Sequence, residues 1–280
     1  MPTPNPVLLA HLRARLQALQ PRARHGVLPF GDPRVDGCFA DGGLPLGGLH
    51  EIAADGIEAE TGAVAAGFLT ALLTRLPGHL VWIAPQADLY APGLLTYGLD
   101  PGRLVLVQTR TNDETLAAME AALRESSAAS VVAETEKLGR LASRRLQLAC
   151  LKHGGTGFVL RRWPHGRKLA GCKPAGCKPA GCKTAGARED TASMTRWRIA
   201  PAPSAAVPSA AVQREPGAPR WRVELEYARG GLEGAWIMEV EPPDATYPLR
   251  VVAELADAAA APAPRQRSAS GSTNIRRLAG

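Results

Sequence analysis

Gly31 to Gly62 reads GDPRVDGCFADGGLPLGGLHEIAADGIEAETG, and the parsing of this stretch decides the fold. A turn signal (Gly31, Asp32, Pro33) leads to a glycine-dense bend at Gly42, Gly43, Gly47 and Gly48. The apolar run Leu49 to Ala54 then predicts a buried strand. A small-residue loop follows, and the periodic run Ala63 to Leu76, closed by Pro77-Gly78, predicts a helix. This is the layout of a phosphate-binding loop, which aims backbone N–H groups at an anion from a helix N-terminus. The residues of that chemistry are mostly missing. The pattern G-x-x-x-x-G-K-[ST] uses its Lys on the β- and γ-phosphates and its hydroxyl on Mg²⁺. In the remnant that begins Asp55-Gly56, the glycine before the Lys becomes Ala59, the Lys position falls on Glu60 and the hydroxyl on Thr61. Carboxylates at Asp55, Glu58 and Glu60 repel a triphosphate where a Lys attracts it. On these residues alone, an ordinary strand–loop–helix turn that never bound a nucleotide is the favoured description.

A longer stretch carries a resemblance. Asp41 to Gly47 (DGGLPLG), followed by Glu51-Ile52, resembles the segment before the phosphate loop in the RecA family. Val81-Trp82-Ile83 resembles the next core strand, and Gly98 to Gly102 the turn before another. Over about Leu28 to Val240 the chain is identified as a member of the ImuA family, RecA-like (sometimes called SulA-like) accessory proteins of bacterial damage-induced mutagenesis. The most specific parts are DGGLPLGGLHEI, ASRRLQLA (Ala142 to Ala149) with VLRRW (Val159 to Trp163), and TRWRIAPAPS (Thr195 to Ser204).

The resemblance implies an α/β fold with a RecA-like P-loop-type core, its mainly parallel sheet flanked by helices. The catalytic Glu of a RecA-type ATPase falls by position on Gln86, which cannot take a proton from attacking water. With Glu60 at the Lys position, the expectation is a non-catalytic protein with no cofactor and no metal. The family's role in translesion synthesis and the SOS response makes it a scaffold for an ImuB-type Y-family-like protein and an error-prone DnaE-type polymerase. RecA and single-stranded DNA are further possible partners. Two other readings stand beside it. One is a divergent ATPase of DNA repair whose Lys comes from Lys137, Lys152 or a neighbouring subunit. The other is a SulA-like inhibitor of cell division.

Composition bounds the rest. A chain of 280 residues, 45% hydrophobic, holds one large α/β domain or two small ones. No run nears the roughly eighteen apolar residues of a membrane span, and the N-terminus lacks the marks of a secretory signal, so a cytoplasmic location is expected. Residues 1–160 carry 14 Lys+Arg against 15 Asp+Glu, and residues 161–280 carry 19 against 11. That asymmetry points to an anionic partner for the second part, or to a solvated basic tail. Cys38 and Cys150 read as small core residues.

Along the chain, residues 1–22 hold a predicted amphipathic helix, Asn5 to Gln20, with Val7, Leu8, Leu12, Leu16 and Leu19 on one side. It packs on its own domain or mediates self-association. Residues 25–255 form the RecA-like domain. A helix over Asp113 to Ser126 takes Asn112 or Asp113 as its cap, and Ser130 to Ala133 is a strand with Glu134 solvated at its end. Leu141 to Lys152 is a helix that exposes Arg144 and Arg145. Residues 164–192 are a low-complexity basic loop built on the repeat AGCKP. Its C-x₄-C-x₄-C spacing fits structural zinc poorly. Where RecA-like recombinases carry a DNA-contacting loop, the stretch Arg161 to Asp190 offers Arg161, Arg162, Arg167, Lys168, Lys173, Lys178 and Lys183 as candidates for single-stranded DNA. Thr195 to Ala200, Arg220 to Tyr227 and Ala235 to Glu241 are strands without intervening helices, which predicts a C-terminal antiparallel extension with Trp197, Trp221 and Trp236 in its layer. Residues 256–280, rich in Ala, Pro, Ser and Arg, form a disordered basic tail.

Overall fold

The computed structural model describes residues 25–56, 58–125, 128–162, 191–204 and 217–255. The expected N-terminal helix, the repeat segment and the basic tail lie outside the described residues. A two-strand ribbon, β1 (Val27–Leu28) with β2 (Leu44–Pro45), flanks a single turn of helix, α1 (Pro33–Asp36). The main sheet then takes β3 (Leu49–Ala54), β4 (His79–Ala84), β5 (Leu104–Gln108), β6 (Ala128–Thr135), β7 (Thr156–Arg161), β8 (Thr195–Ala202), β9 (Arg220–Ala228), β10 (Gly234–Val240) and β11 (Leu249–Glu254). The helices are α2 (Glu58–Leu73), α3 (Asn112–Arg124) and α4 (Arg140–His153).

These nine strands lie in the order β11-β10-β9-β8-β3-β7-β6-β4-β5. From β8 to β5 every ladder is parallel, and from β8 to β11 every ladder is antiparallel. The antiparallel extension expected from the helix-free run of strands is therefore present, with β11 as an addition to it. That six-residue edge strand buries only Leu249 and Val251, too short an alternation to stand out in sequence. α2 covers one face over β3 and β8, whereas α3 and α4 cover the other and pack on each other. Two cores result. Phe68 of α2 meets Trp197 and Trp221, each buried as expected, and on the opposite face Leu146 and Cys150 of α4 join Met119 and Leu123 of α3. Gly67 lets α2 come close: a Cβ there would stand 2.9 Å from the Tyr97 hydroxyl and 3.1 Å from the Trp221 ring.

His50 ties the centre of the sheet together. It is fully buried beside Phe158, with Nε2 2.9 Å from the Pro45 carbonyl and Nδ1 2.8 Å from Thr195 Oγ1. A carbonyl only accepts, so Nε2 carries the proton and Nδ1 accepts from the Thr195 hydroxyl. That hydroxyl in turn accepts from Trp197 Nε1 at 2.9 Å. Burial holds the imidazole neutral, with its pKa pushed down to about 4.

Three local expectations change. α2 begins at Glu58, five residues before the apolar period, because Glu and Ala are good helix formers that extend it backwards. α3 is capped by Thr111, whose side chain accepts from the Glu114 N–H at 3.2 Å, and not by Asn112 or Asp113. Glu134 is not solvated: it is 3% exposed, because Trp82 and Arg162 meet it inside the sheet edge.

Candidate functional site

Open α/β sheets bind ligands in the crevice outside the C-terminal ends of their parallel strands. Here that edge is built from the turn after β3, the loop after β4, the end of β6 and the end of β7. Between β3 and α2 only Asp55, Gly56 and Ile57 intervene. The Asp55 N–H is already bonded to the Ile199 carbonyl at 2.7 Å. Its carboxylate accepts from Arg222 at 2.6 Å and lies 3.6 Å from Arg198, so the charge expected to repel a phosphate is neutralised by β8 and β9. Gly56 has φ +131°, and a Cβ there would sit 2.9 Å from the Thr61 methyl. Thr61 is buried in the first turns of α2. Ala59 and Glu60 belong to the helix itself, at its second and third residues.

The centre of the edge is held by the chain's own charges. Arg162 Nη1 donates to Glu134 at 2.7 Å and to Asp88 at 2.9 Å, and its Nη2 donates to Asp88 at 2.9 Å. The Glu134 carboxylate also accepts from Trp82 Nε1 at 2.8 Å. Burial raises the Glu134 pKa, against the pull of Arg162, whereas the hydrogen bonds from Arg162 lower that of Asp88. A single guanidinium thus bridges the Glu134 and Asp88 carboxylates. Gln86 sits half-buried in the loop after β4, two residues from Asp88.

Behind the sheet a second carboxylate is buried. Glu51 is 4% exposed and accepts from the hydroxyls of Thr191 and of Ser193, the latter at 2.5 Å. Arg161 approaches it at 3.5 Å and donates to the Glu136 carbonyl at 3.0 Å. Residues on both sides of 163–190 therefore meet one carboxylate. The returning segment is fastened further: the Ala192 N–H bonds Ser143 Oγ of α4 at 3.0 Å, and the Met194 N–H bonds the Leu49 carbonyl at 2.7 Å.

Of the residues expected to touch DNA, Arg161 and Arg162 are thus engaged with carboxylates, and a phosphate would have to displace one. Arg167, Lys168, Lys173, Lys178 and Lys183 lie outside the described residues. Of the two lysines considered as substitutes in the phosphate loop, Lys137 follows β6 on the crevice side. Lys152 lies at the far end of α4, beside the starts of the parallel strands. The buried pairs Glu51–Arg161 and Glu134–Arg162 were not read from the sequence. Their only signal was a Glu inside the apolar run Leu49 to Ala54 and another ending the run before Thr135.

No family model matches the chain. Protein ImuA of Caulobacter vibrioides, from strain NA1000 / CB15N and from strain ATCC 19089 / CIP 103742 / CB 15, is 47% identical over 236 residues, which cover 82% of this chain and 91% of each relative. The crystal structure of SulA from Pseudomonas aeruginosa is 28% identical and spans 40% of this chain and 96% of its own, at a TM-score of 0.35, too low to bear on the fold. At that identity and coverage of the Caulobacter proteins, this chain belongs to the ImuA family.

Proposed function

We propose that this chain is a non-catalytic accessory factor of damage-induced mutagenesis, with a RecA-like core that keeps the architecture of a nucleotide-binding sheet without its fuel. In this reading it acts by binding, as a scaffold for an ImuB-type Y-family-like protein and an error-prone DnaE-type polymerase in translesion synthesis. Membership of the ImuA family supports the pathway. The core reading is supported by the central placement of β3 among parallel strands, with α2 after it and an antiparallel extension beyond β8.

The observation that carries the loss of catalysis is Arg162. A triphosphate with its Mg²⁺ needs a cradle of free N–H groups and carboxylates open to the metal. Here the connection between strand and helix is three residues long and Glu134 is committed to Arg162 and Trp82. Titration of the purified chain with Mg-ATP by calorimetry tests this. No heat of binding and no phosphate release are expected, and turnover by the wild-type chain would reinstate the ATPase reading. A pull-down from DNA-damaged cells tests the scaffold separately: the ImuB-type protein or the polymerase should co-purify.

A further inference from the structure

The ASRRLQLA helix has an outer face that neither the sheet nor the crevice uses. α4 turns Ser143, Leu146, Gln147, Ala149 and Cys150 inward. Its outer face carries Leu141, 80% exposed, Leu148, 58%, and Leu151, 42%, on one side at spacings of seven and three. Arg144 and Arg145 lie between them. Beside this stripe runs an open groove of about 310 Å³, walled by Arg140, Arg144, Leu148 and Leu151 of α4 on one side and by Thr191, Ala192 and Arg229 on the other. Among the described residues no carboxylate lines it. Arg145 is turned aside to Glu120 at 2.5 Å, and among the described residues no acid pairs with Arg144. Isolated surface leucines need no explanation, but Leu148 and Leu151 wall an open basic groove and Leu141 continues their stripe beyond it, which makes a patch.

We infer that this groove docks an acidic amphipathic helix of a partner protein, with the partner's apolar stripe on Leu141, Leu148 and Leu151 and its carboxylates on Arg144 and Arg229. Charge decides the occupant. The chain's longer segments outside the described residues are basic: residues 1–24 hold four Arg and no acid, residues 163–190 six Lys+Arg against two acids, and residues 256–280 four Arg and one Asp, whereas residues 205–216 carry one Arg and one Glu. A second copy packing α4 on α4 would set arginine against arginine. Single-stranded nucleic acid grips such grooves by stacking bases on aromatic rings, and among the described residues none lines this one. An apolar stripe flanked by carboxylates satisfies both halves of the surface, in the helix-in-groove manner.

The inference rests on the reading of the chain as a binding factor. ATP turnover would defeat that reading and leave peptide capture measurable, so the two fail separately. The probe is a fluorescein-labelled helical peptide of about 18 residues with leucines at i, i+3 and i+7 and glutamates on the flanks, followed by anisotropy on the full chain. The same peptide with lysine flanks and a labelled oligo-dT are the controls. Saturable binding of the glutamate peptide is expected, weakened by about tenfold or more by Leu148→Asp and by Arg144→Glu. Leu232→Asp, at an exposed leucine outside the groove, should leave it unchanged. Both groove variants are at the surface, and unchanged melting curves show that they fold. Equal capture of the lysine peptide, tighter and Arg144-dependent capture of oligo-dT, insensitivity to both variants, or no saturable binding overturns the proposal.

Discussion

Arg162 is the residue on which the crevice depends, and its removal exposes the asymmetry of buried charge. Cutting it to Ala leaves the Glu134 carboxyl, 3% exposed, without its cation. Breaking such a pair costs more than the intact pair contributes, so Arg162→Ala should lose about 2–4 kcal/mol in urea unfolding. The double variant Glu134→Gln with Arg162→Ala should regain a large part of that, since the amide oxygen still accepts from Trp82 and no orphan charge remains. His50 gives a pH dependence of definite sign. Its folded pKa is held near 4 against about 6.5 in the open chain, so the unfolded state binds the extra proton between those values. Its contribution to stability is complete above pH 6.5 and falls as the pH drops toward 4, by up to about 3 kcal/mol. Urea midpoints between pH 7 and 4 should therefore fall less steeply for His50→Gln than for wild type, from a lower start.

At the scale of elements, α2 sits close to Tyr97 and Trp221 only because position 67 has no side chain. Gly67→Val pushes a branched Cβ into both rings and should cost about 1–3 kcal/mol, read as a lower melting midpoint. The strand, turn and helix from Leu49 to Leu73 were legible in the sequence because apolar period and glycine punctuation agree there. So was the antiparallel extension, from the alternation of Trp221, Val223 and Leu225. The start of α2 was not, since Glu58-Ala59-Glu60 extends a helix as readily as it forms a loop. The charge pairs were beyond reach for a different reason. Glu51 and Arg161 are 110 residues apart, and Glu134 and Arg162 are 28 apart. Only the parallel order β3-β7-β6 brings them together. Sequence therefore exposed the missing lysine but not the arginine that fills the crevice.

For the molecule as a whole, the proposed loss of nucleotide binding does not turn on one position. Glu60→Lys restores a cation to the sequence pattern, yet the connection before α2 stays three residues long and Arg162 stays between Glu134 and Asp88. Calorimetry with Mg-ATP should accordingly find no binding for either wild type or Glu60→Lys. The antiparallel half of the sheet offers a contrast. Its uncovered face is a lattice of matched charges, with Arg198 on Glu226, Arg220 on Glu239 and Arg222 on Glu224 and Asp55, which suits a surface facing water. Glu51 has a further consequence, for the gene more than for the chemistry. With Arg161 and Thr191 both moored to that one side chain, whatever lies between them can be lengthened or shortened without retuning the sheet. For a flexible loop of about 30 residues, five residues more or fewer change the closure entropy by only about 0.1–0.2 kcal/mol. Alleles that differ in copy number should melt together, free to drift as replication slips.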